Sequence, residues 1–470
     1  MNFDEILENY EERRRELLKH NSNLTGLVLR EKEKQADSYL SALKEKFFAD
    51  FKDQYIYDIP VLNNRAMVEC ELYKFCSRLP KGADLHMHDM AQLPVNELIP
   101  LLVDYPKFCI NADRKSFDLA LADDDGNIPE GYIRFCDALS SGYYSHDELL
   151  NNWTVLGAKN AGCSVWEFFE TLFSRHHALS DDLDFVAKYY DRTFRYYCEN
   201  NVIHIEIHIM LTDSIDDSFE YARVIRQAYY NVKKDYPYFT VRLIGAGAKA
   251  DNDTVDCSRR CFLNASYVQE TLKDESDPEH IADFLIGFDL VNEEDSSLPL
   301  KAFVPMLLKA KRQYPNMKLY IHGGESLDAS NENLIDAYLL GASRVGHGLN
   351  LYRYPDLHAR FVKDEICLEV CPISNQRLGY TSDVRSHPVT EYLRTGMALS
   401  LCSDDPAYME NETLTDDFFA AAVSWNLNLG DLKQLGINSI MYSGLDDKQK
   451  FDSLRAYNRI WNEFIDEIVS

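Results

Sequence analysis

The sequence predicts an α/β protein: a (β/α)8 TIM barrel with an N-terminal helical extension and an insertion after its first strand. Short apolar runs recur between segments long enough to form a helix, as they do in parallel sheets with helical crossovers. Eight such runs are present, which is the strand count of the closed barrel. They are residues 82–88, 202–210, 239–247, 284–291, 318–324, 343–348, 366–372 and 397–403.

Residues 1–78 precede the first run and are predicted to form a helical extension. Charged and apolar residues alternate at helical spacing in YEERRRELLKH and KQADSYLSALKEKFFADFKDQ, and the first glycine is Gly26. We expect this extension to be an accessory layer and a candidate dimerisation region. Residues 79–470 are then expected to form the barrel domain.

An insertion is predicted between the first two strands. Residues 89–201 separate the two runs, which is far more chain than one helix and its loops require. We place the insertion around residues 104–145, a stretch that contains the turn sequence DDDGN and two cysteines, Cys109 and Cys136.

Composition limits the class of partner. The chain has 49 Lys and Arg against 77 Asp and Glu, for a net charge of −28, which argues against nucleic acid or an anionic membrane as partner. We therefore expect a small-molecule substrate. The chain shows no run of eighteen apolar residues and no apolar signal core at its start, and its eleven cysteines lack framework spacing. These features predict a soluble, cytoplasmic protein with reduced thiols.

Polar residues collect at the C-terminal ends of the predicted strands, where barrel enzymes carry their active sites. Residues two apart on a strand face the same side, so His86 and His88 can bind one metal ion. With His322 and Asp404 they form a ligand set suited to Zn²⁺ with a position left for water. The residues at strand ends are His86, His88, His322, Glu325, His347, Asp404 and Asp405.

Other chemical motifs are weaker. The HIE at residues 204–206 matches half of a deaminase zinc signature, but no Pro-Cys-x-x-Cys follows it. Cys257 and Cys261 have metal-like spacing without a second pair. No P-loop, His-Glu-x-x-His or Gly-x-Ser-x-Gly motif is present. Four histidines without a spacing argument are expected at the surface or in packing: His176, His177, His358 and His387.

The motifs LPKGADLHMHD, GFDLVNEED, HGGES, RVGHG, EVCPISNQ and CSDDP, taken in order, resemble those of the adenosine deaminase family. Their wording, with NSIMYS at residues 438–443, is most similar to the adenosine deaminase-related growth factor branch. The resemblance is strong over residues 80–92 and 284–470. It implies zinc-dependent hydrolysis of adenosine and 2′-deoxyadenosine to inosine and 2′-deoxyinosine with release of ammonia, as part of purine metabolism.

The resemblance also implies a role for each strand-end residue. Glu325 would give a proton to purine N1, which requires a pKa raised by burial, and His347 would take the proton of the attacking water. Asp405 would contact purine N7, with a proton on one of the two partners. Ser374 and Asn375 are expected to brace the site. The ligands of one Zn²⁺ per chain would be His86, His88, His322 and Asp404.

The resemblance implies substrate contacts for some residues, while other positions depart from the family pattern. Asp89 resembles the residue that meets the ribose 5′-hydroxyl, and Trp166 resembles an aromatic near the ribose, with core packing an equal alternative. Asn292 occupies a position where the family usually has glycine, whose backbone N–H meets purine N3. Asparagine tolerates the left-handed backbone that glycine permits, but its side chain adds bulk at the edge of the purine. Lys249 only partly replaces an Arg or His expected after the third strand, and His208 stands where arginine is common.

Three alternatives stay open. The changes at Asn292 and in the third strand favour a deaminase of adenine or of a modified adenine nucleoside. A catalytically decayed, growth-factor-like binding protein is opposed by the joint presence of all four metal ligands and both proton-transfer residues. A two-metal hydrolase of amides or phosphoesters is opposed by the lack of a bridging lysine at a strand end.

Overall fold

The computed structural model describes residues 3–21, 24–57, 67, 69–212, 214–249, 259, 262–266 and 284–470. Cys257 and Cys261 lie outside the described residues. The strands are β1 (Gly82–His88), β2 (Phe108–Asn111), β3 (Leu119–Leu121), β4 (Tyr132–Arg134), β5 (Val202–Met210), β6 (Thr240–Ala248), β7 (Leu285–Val291), β8 (Tyr320–Gly323), β9 (Arg344–His347), β10 (Cys367–Val370) and β11 (Leu399–Leu401).

Eight of these strands form the predicted barrel. Strands β1, β5, β6 and β7 make one parallel sheet, and β8, β9, β10 and β11 make a second. Parallel bridges join Phe288 of β7 to Leu319 and Met87 of β1 to Asp404. The two half-sheets therefore meet at both edges, and each of the eight apolar runs contains one barrel strand.

The barrel interior is charged as well as apolar. Along β5, side chains alternate in direction, and its polar members reach inward: Glu206 accepts a hydrogen bond of 2.5 Å from Nη2 of Arg344 on β9. The Nε of Arg344 also donates to Glu369 on β10. Because these groups are fully buried, their pairing offsets the cost of desolvating each charge.

Helices surround the barrel, as crossovers between parallel strands require. Shorter 3-10 helices lie at Val155–Gly157, His177–Ser180, Leu300–Ala302, Leu349–Arg353 and Val384–Ser386. The α-helices are Phe3–Asn21, Glu31–Tyr57, Glu71–Arg78, Val95–Val103, Phe135–Ser140, His146–Trp153, Ala158–Ala161, Val165–His176, Leu183–Glu199, Ile215–Lys233, Val304–Gln313, Asn333–Leu339, Pro355–Lys363, Pro372–Arg377, Val389–Arg394, Pro406–Met409, Leu414–Ser424, Leu429–Met441 and Asp447–Val469. Within the described chain, no helix combines the length and apolarity needed to cross a membrane.

The N-terminal extension is helical, as predicted, and its second helix packs on the barrel. Glu33 in Glu31–Tyr57 is buried and accepts hydrogen bonds from Lys433 Nζ at 2.5 Å and Trp461 Nε1 at 2.9 Å. By contrast, residues 4–16 of the first helix are exposed throughout. The second helix is therefore packed against the helices of the barrel domain. The domain boundary at residues 78/79 stays a prediction.

The predicted insertion around residues 104–145 contains a small antiparallel sheet with strand order β3-β2-β4. Cys109 and Cys136 in this region are free thiols. The chain then forms the helix Val165–His176, whose start is fixed by a capping box between Ser164 and Glu167. Several residues of this helix line the cavity at the C-terminal ends of the barrel strands. The helix therefore lies beside those ends.

Candidate active site

The four residues predicted to bind metal come together at the C-terminal ends of β1, β8 and β11. The Nε2 atom of His88 lies 3.1 Å from Oδ1 of Asp404 and 3.3 Å from Nε2 of His322. The Nε2 atom of His86 lies 3.7 Å from the same Asp404 oxygen. Three imidazole nitrogens and a carboxylate oxygen therefore converge on one point.

Buried carboxylates orient two of these imidazoles. Nδ1 of His86 lies 2.7 Å from Oε2 of Glu369, and Nδ1 of His322 lies 2.6 Å from Oδ2 of Asp289. A carboxylate only accepts hydrogen bonds, so each Nδ1 carries the proton and each Nε2 offers a lone pair to the cluster. Carboxylate–histidine pairs of this kind set the tautomer of metal ligands.

The cluster is suited to a metal ion. His86 Nε2 is buried and has no hydrogen-bond partner among the described residues, which is costly unless something binds it. Burial lowers the pKa of His322 well below its usual value, so this ring is neutral, as metal coordination requires. Three imidazoles and one carboxylate are typical ligands of Zn²⁺.

Asp404 reaches the cluster through an unusual backbone. Strand β11 ends at Leu401, and Asp404 has φ +63°, a left-handed conformation that is uncommon outside glycine. Ser374 Oγ donates to Asp404 Oδ2 at 2.6 Å, which fixes the second carboxylate oxygen. The direction of the Asp404 side chain is thus set by this turn beyond the strand.

Glu325 and His347 form a buried acid–base pair. Oε1 of Glu325 lies 3.2 Å from Nδ1 of His347, and Asn375 Nδ2 donates to the same oxygen at 2.6 Å. Burial, and then the charge of Asp404, raise the pKa of Glu325 well above its usual range. Burial lowers the pKa of His347 to about 3. The carboxyl is therefore protonated and the imidazole neutral at pH 7.

Asp405 differs electrostatically from its neighbour. Its Oδ1 is buried without a hydrogen-bond partner among the described residues. Burial and the adjacent Asp404 raise the pKa of Asp405 well above its usual value. Burial also disfavours ionisation of Asp404, but the hydrogen bond from His88 and the nearby imidazoles lower its pKa well below the usual range. One member of the pair is charged and the other is neutral.

A cavity of about 450 Å³ opens beside the cluster. Asp89, Asn292 and Trp166, three residues predicted to contact substrate, all line it. Asn292 has φ +114°, so it does adopt a backbone that favours glycine. Asp89 accepts hydrogen bonds from the hydroxyls of Tyr190 and Tyr221, and burial raises its pKa to about 6.

Two residues that depart from the family pattern lie at different depths. His208 lines the cavity, and its Nδ1 is 2.8 Å from the Asp289 oxygen that also meets His322. Lys249 is buried beyond the end of β6 and is not among the residues that line the cavity. Lys249 therefore does not stand at the cavity wall in place of the Arg or His expected after the third strand.

Sequence reasoning missed the inner carboxylates and one histidine. Glu369 and Asp289 both lie within apolar strand runs, where a buried charge is itself a signal of a partner. His176 is buried, in agreement with the packing role that is one of its two predicted roles, but it also lines the cavity, which the sequence does not predict. Its position depends on how the helix Val165–His176 is placed against the barrel, which the local pattern does not specify.

Comparison with known proteins identifies the family. The adenosine deaminase family model matches residues 166–456. The chain belongs to the adenosine deaminase family. Adenosine deaminase 2 of Dictyostelium discoideum is 29% identical over 428 residues, covering 86% of this chain and 76% of that protein. Human adenosine deaminase 2 is 25% identical over 482 residues, covering 94% of this chain and 90% of that protein. The predicted resemblance is confirmed, and the protein is a deaminating hydrolase of adenine nucleosides.

Solved structures share the fold. The Arabidopsis N6-mAMP deaminase superposes with a TM-score of 0.59 at 16% identity, covering 82% of this chain and 99% of that chain. An amidohydrolase from Burkholderia ambifaria with bound Zn gives 0.59 at 17% identity, covering 84% and 94%. An adenine deaminase from Arthrobacter aurescens gives 0.53 at 20% identity, covering 82% and 99%. These matches support the barrel fold of this adenosine deaminase family member.

Proposed function

We propose that this enzyme hydrolyses adenosine and 2′-deoxyadenosine to inosine and 2′-deoxyinosine with release of ammonia, in purine salvage or catabolism. The observation that carries the proposal is the pairing of a protonated carboxyl, Glu325, with a neutral imidazole, His347, beside the metal-binding cluster. Deamination needs both a proton donor to the ring and an acceptor for the proton of water.

The proposed metal is one Zn²⁺ per chain. The residues that would hold it are His86, His88, His322 and Asp404. When bound, zinc would supply a Lewis acid that makes a water molecule more acidic. The fit of three imidazoles and a charged carboxylate supports this assignment, as does the zinc bound in the Burkholderia ambifaria amidohydrolase.

The side chains can move the protons that the reaction requires. Glu325 donates its proton to purine N1, which lets C6 accept the oxygen of water and become tetrahedral. His347 accepts one proton from that water and passes it to the amino group, which leaves as ammonia. The remaining hydroxyl proton returns to Glu325 as the C6 carbonyl forms. N1 keeps the proton it received, so the product is inosine and Glu325 is restored.

Other residues would hold the substrate. Protonated Asp405 donates to N7, an acceptor that an ionised carboxylate would repel. The backbone N–H of Asn292 faces N3, Asp89 accepts from the 5′-hydroxyl, and Trp166 packs at the ribose. Because all four residues line one cavity with the cluster, one bound nucleoside can contact them together.

A second candidate is deamination of adenine or of a modified adenine nucleoside. Asn292 favours this second candidate. Its side chain lies at the cavity wall, where glycine is usual, and leaves less room beside the edge of the purine. Steady-state rates on adenosine, 2′-deoxyadenosine, adenine and N6-methyladenosine, followed by ultraviolet absorbance, separate the two candidates. Higher kcat/KM on adenine than on adenosine would overturn the first proposal.

We infer that a second copy of the chain covers the helix Phe3–Asn21. Ile6, Leu7 and Tyr10 are each about half exposed or more, at 51%, 47% and 60%, and helices in proteins gain most of their stability by packing an apolar face. Light scattering coupled to gel filtration should give a dimer for the wild type and a monomer for Ile6→Asp with Leu7→Asp. A monomeric wild type contradicts the inference.

We also propose a cytoplasmic location. Nine cysteines within the described residues are free thiols, which is usual in a reducing compartment. Cell fractionation with alkylation of free thiols at lysis should recover the protein, reduced, with cytosolic markers. Recovery from the medium with oxidised Cys109 and Cys136 would contradict this location.

A further inference from the structure

Glu325 stands on a loop, so its position depends on the contacts of that loop. Strand β8 ends at Gly323, and Gly324, with φ +83°, turns the chain in a conformation that favours glycine. Glu325 follows this turn, so the alternation of strand side chains does not set its direction. The contacts that fix the loop therefore decide where the proposed proton donor lies.

The segment after β7 holds this loop through a buried carboxylate. Oε1 of Glu294 accepts a hydrogen bond from the backbone N–H of Glu325 at 3.0 Å. Its Oε2 accepts from Nδ2 of Asn331 at 2.9 Å and from Nδ2 of Asn333 at 2.7 Å. Glu294 is only 7% exposed, and it meets N–H donors on both oxygens. An ionised carboxylate suits these contacts, because it only accepts hydrogen bonds.

The two asparagines that meet Glu294 are themselves fixed. Oδ1 of Asn333 accepts from the backbone N–H of Leu300 at 2.8 Å, and Oδ1 of Asn331 accepts from the backbone N–H of Asn333 at 3.0 Å. With their oxygens engaged, both amides turn their nitrogens to Glu294. A side chain without an acceptor at position 294 would therefore leave buried N–H groups unpaired, which is unfavourable.

Other contacts hold the residues that follow Glu325. Oδ2 of Asp295 accepts from the backbone N–H of Leu327 at 2.8 Å, and its Oδ1 accepts from the hydroxyl of Ser326. These contacts restrain the loop beyond Glu325, whereas Glu294 meets the backbone of Glu325 directly.

The segment that contains Glu294 also carries a residue assigned to the purine. Asn292 lines the cavity, and its backbone N–H is proposed to face N3, while Glu325 is proposed to protonate N1. These two nitrogens flank C2 on one edge of the ring, so the groups that meet them need a fixed separation. The hydrogen bond from Glu325 to Glu294 joins the two segments that carry these groups.

Glu294 also favours the protonated form of Glu325. Burial is the largest cause of the raised pKa of Glu325, followed by the charges of Asp404 and Glu294, while Asn375 and Lys249 act in the opposite direction. The contact at the backbone and the charge at the side chain therefore serve the same group.

We propose that Glu294 is a positioning residue that holds Glu325 at a fixed distance from Asn292, so that N1 and N3 of one purine are met together. This inference rests on the proposed deamination of the adenine base. Glu294 is not among the residues that line the cavity, and it acts on the reaction through Glu325.

A double-mutant cycle tests this route of action. We measure kcat and KM on adenosine for the wild type, Glu294→Gln, Glu325→Gln and the double variant. Glutamine at position 294 keeps one acceptor oxygen but turns an amide nitrogen toward N–H donors. Glu294→Gln should therefore lower kcat about 10- to 100-fold, with KM changed by less than about 3-fold. In the Glu325→Gln background the same substitution should lower kcat by less than about 2-fold.

Two variants calibrate the effect. Glu293→Gln is the matched control, because it removes the adjacent carboxylate, whose side chain accepts from Ser296 instead; it should leave kcat and KM unchanged. Glu294→Ala removes every acceptor at the position and should lose more kcat than Glu294→Gln, which keeps one for the N–H of Glu325.

An equal fold-loss of kcat in both backgrounds overturns the proposal, because Glu294 would then act independently of Glu325. Wild-type kcat in Glu294→Gln overturns it as well. If the Glu294 variants do not fold, the partly exposed Asn331 replaces Glu294 in the cycle. Asn331→Ala removes one donor to Glu294 and should lower kcat less, again only where Glu325 is intact. No loss, or a loss that persists in Glu325→Gln, overturns the proposal.

The choice of substrate separates this inference from the proposed function. Adenine and adenosine both present N1 and N3, so the cycle is run on whichever the wild type deaminates faster. Faster turnover of adenine overturns the proposed function and leaves the test of Glu294 in force. Additive losses on the better substrate overturn the role of Glu294 and leave the proposed function standing, and a wild type inactive on both overturns both.

Discussion

Oε1 of Glu325 lies 3.2 Å from Nδ1 of His347, and burial moves the pKa values of the two groups in opposite directions. It raises the pKa of Glu325 well above its usual range and lowers that of His347 to about 3. Near pH 7 the carboxyl is protonated and the imidazole is neutral. The enzyme thus presents an acid and a base in one contact, as general acid–base catalysis requires.

Glu325→Gln should remove the proton donor and keep the shape of the site. We expect kcat to fall by about 10²- to 10⁴-fold while zinc content, measured by mass spectrometry of the purified protein, stays at one per chain. Glu332→Gln, at an exposed position, is the control and should retain full turnover. Near-normal kcat in Glu325→Gln would refute the assigned role.

Asp404 and Asp405 should respond differently to substitution. Asp404→Ala removes a charged ligand and should lose zinc, whereas Asp405→Ala should keep zinc and lose turnover. Asp405→Asn should retain more activity than Asp405→Ala, because its amide can donate to N7 as a protonated carboxyl does. Equal zinc loss in both alanine variants would contradict this division of roles.

The barrel and the cluster of polar side chains at its strand ends could be predicted from the sequence because both depend on local pattern. Apolar runs specify strands, and His86, His88 and His322 follow from the rule that barrel sites collect at strand ends. Asp404 joins the same cluster, but the direction of its side chain depends on φ +63° beyond the end of β11, a conformation that strand alternation does not describe.

Contacts distant in sequence could not be predicted. Glu369 and His86 are in contact although 283 positions of the chain separate them. The local sequence around either residue does not indicate its partner. His176 enters the cavity only because the chain between β1 and β5 folds over the strand ends. Such pairings are set by tertiary packing, which a single sequence does not reveal.

Glu369→Gln tests whether the inner carboxylates hold the proposed metal ligands in place. Glu369 accepts from His86 and from the buried Arg344, so an amide there would weaken the control of the imidazole tautomer. We expect zinc affinity, measured by chelator competition, to fall about 10- to 100-fold. Asp356→Asn on the surface is the control. An unchanged affinity in Glu369→Gln would show that this contact does not position His86.

Glu33 makes the stability of the protein dependent on pH. Burial opposes its ionisation, but hydrogen bonds from Arg30 and Lys433 prevail and lower its pKa from 4.5 to about 2. The folded-state pKa is below the unfolded one, so the stabilisation is present above about pH 4.5 and is lost as the pH falls toward 2.

Glu33→Gln should therefore lower the free energy of unfolding by about 1–3 kcal/mol at pH 7, because Lys433 loses its buried anion. The difference from wild type in urea unfolding should shrink as the pH falls below 4.5. Glu31→Gln, which removes an exposed ion pair with Lys34, should change stability by less than about 1 kcal/mol. A difference that stays constant from pH 7 to pH 3 would mean that Glu33 acts through packing, since only the ionised carboxylate makes the stabilisation depend on pH.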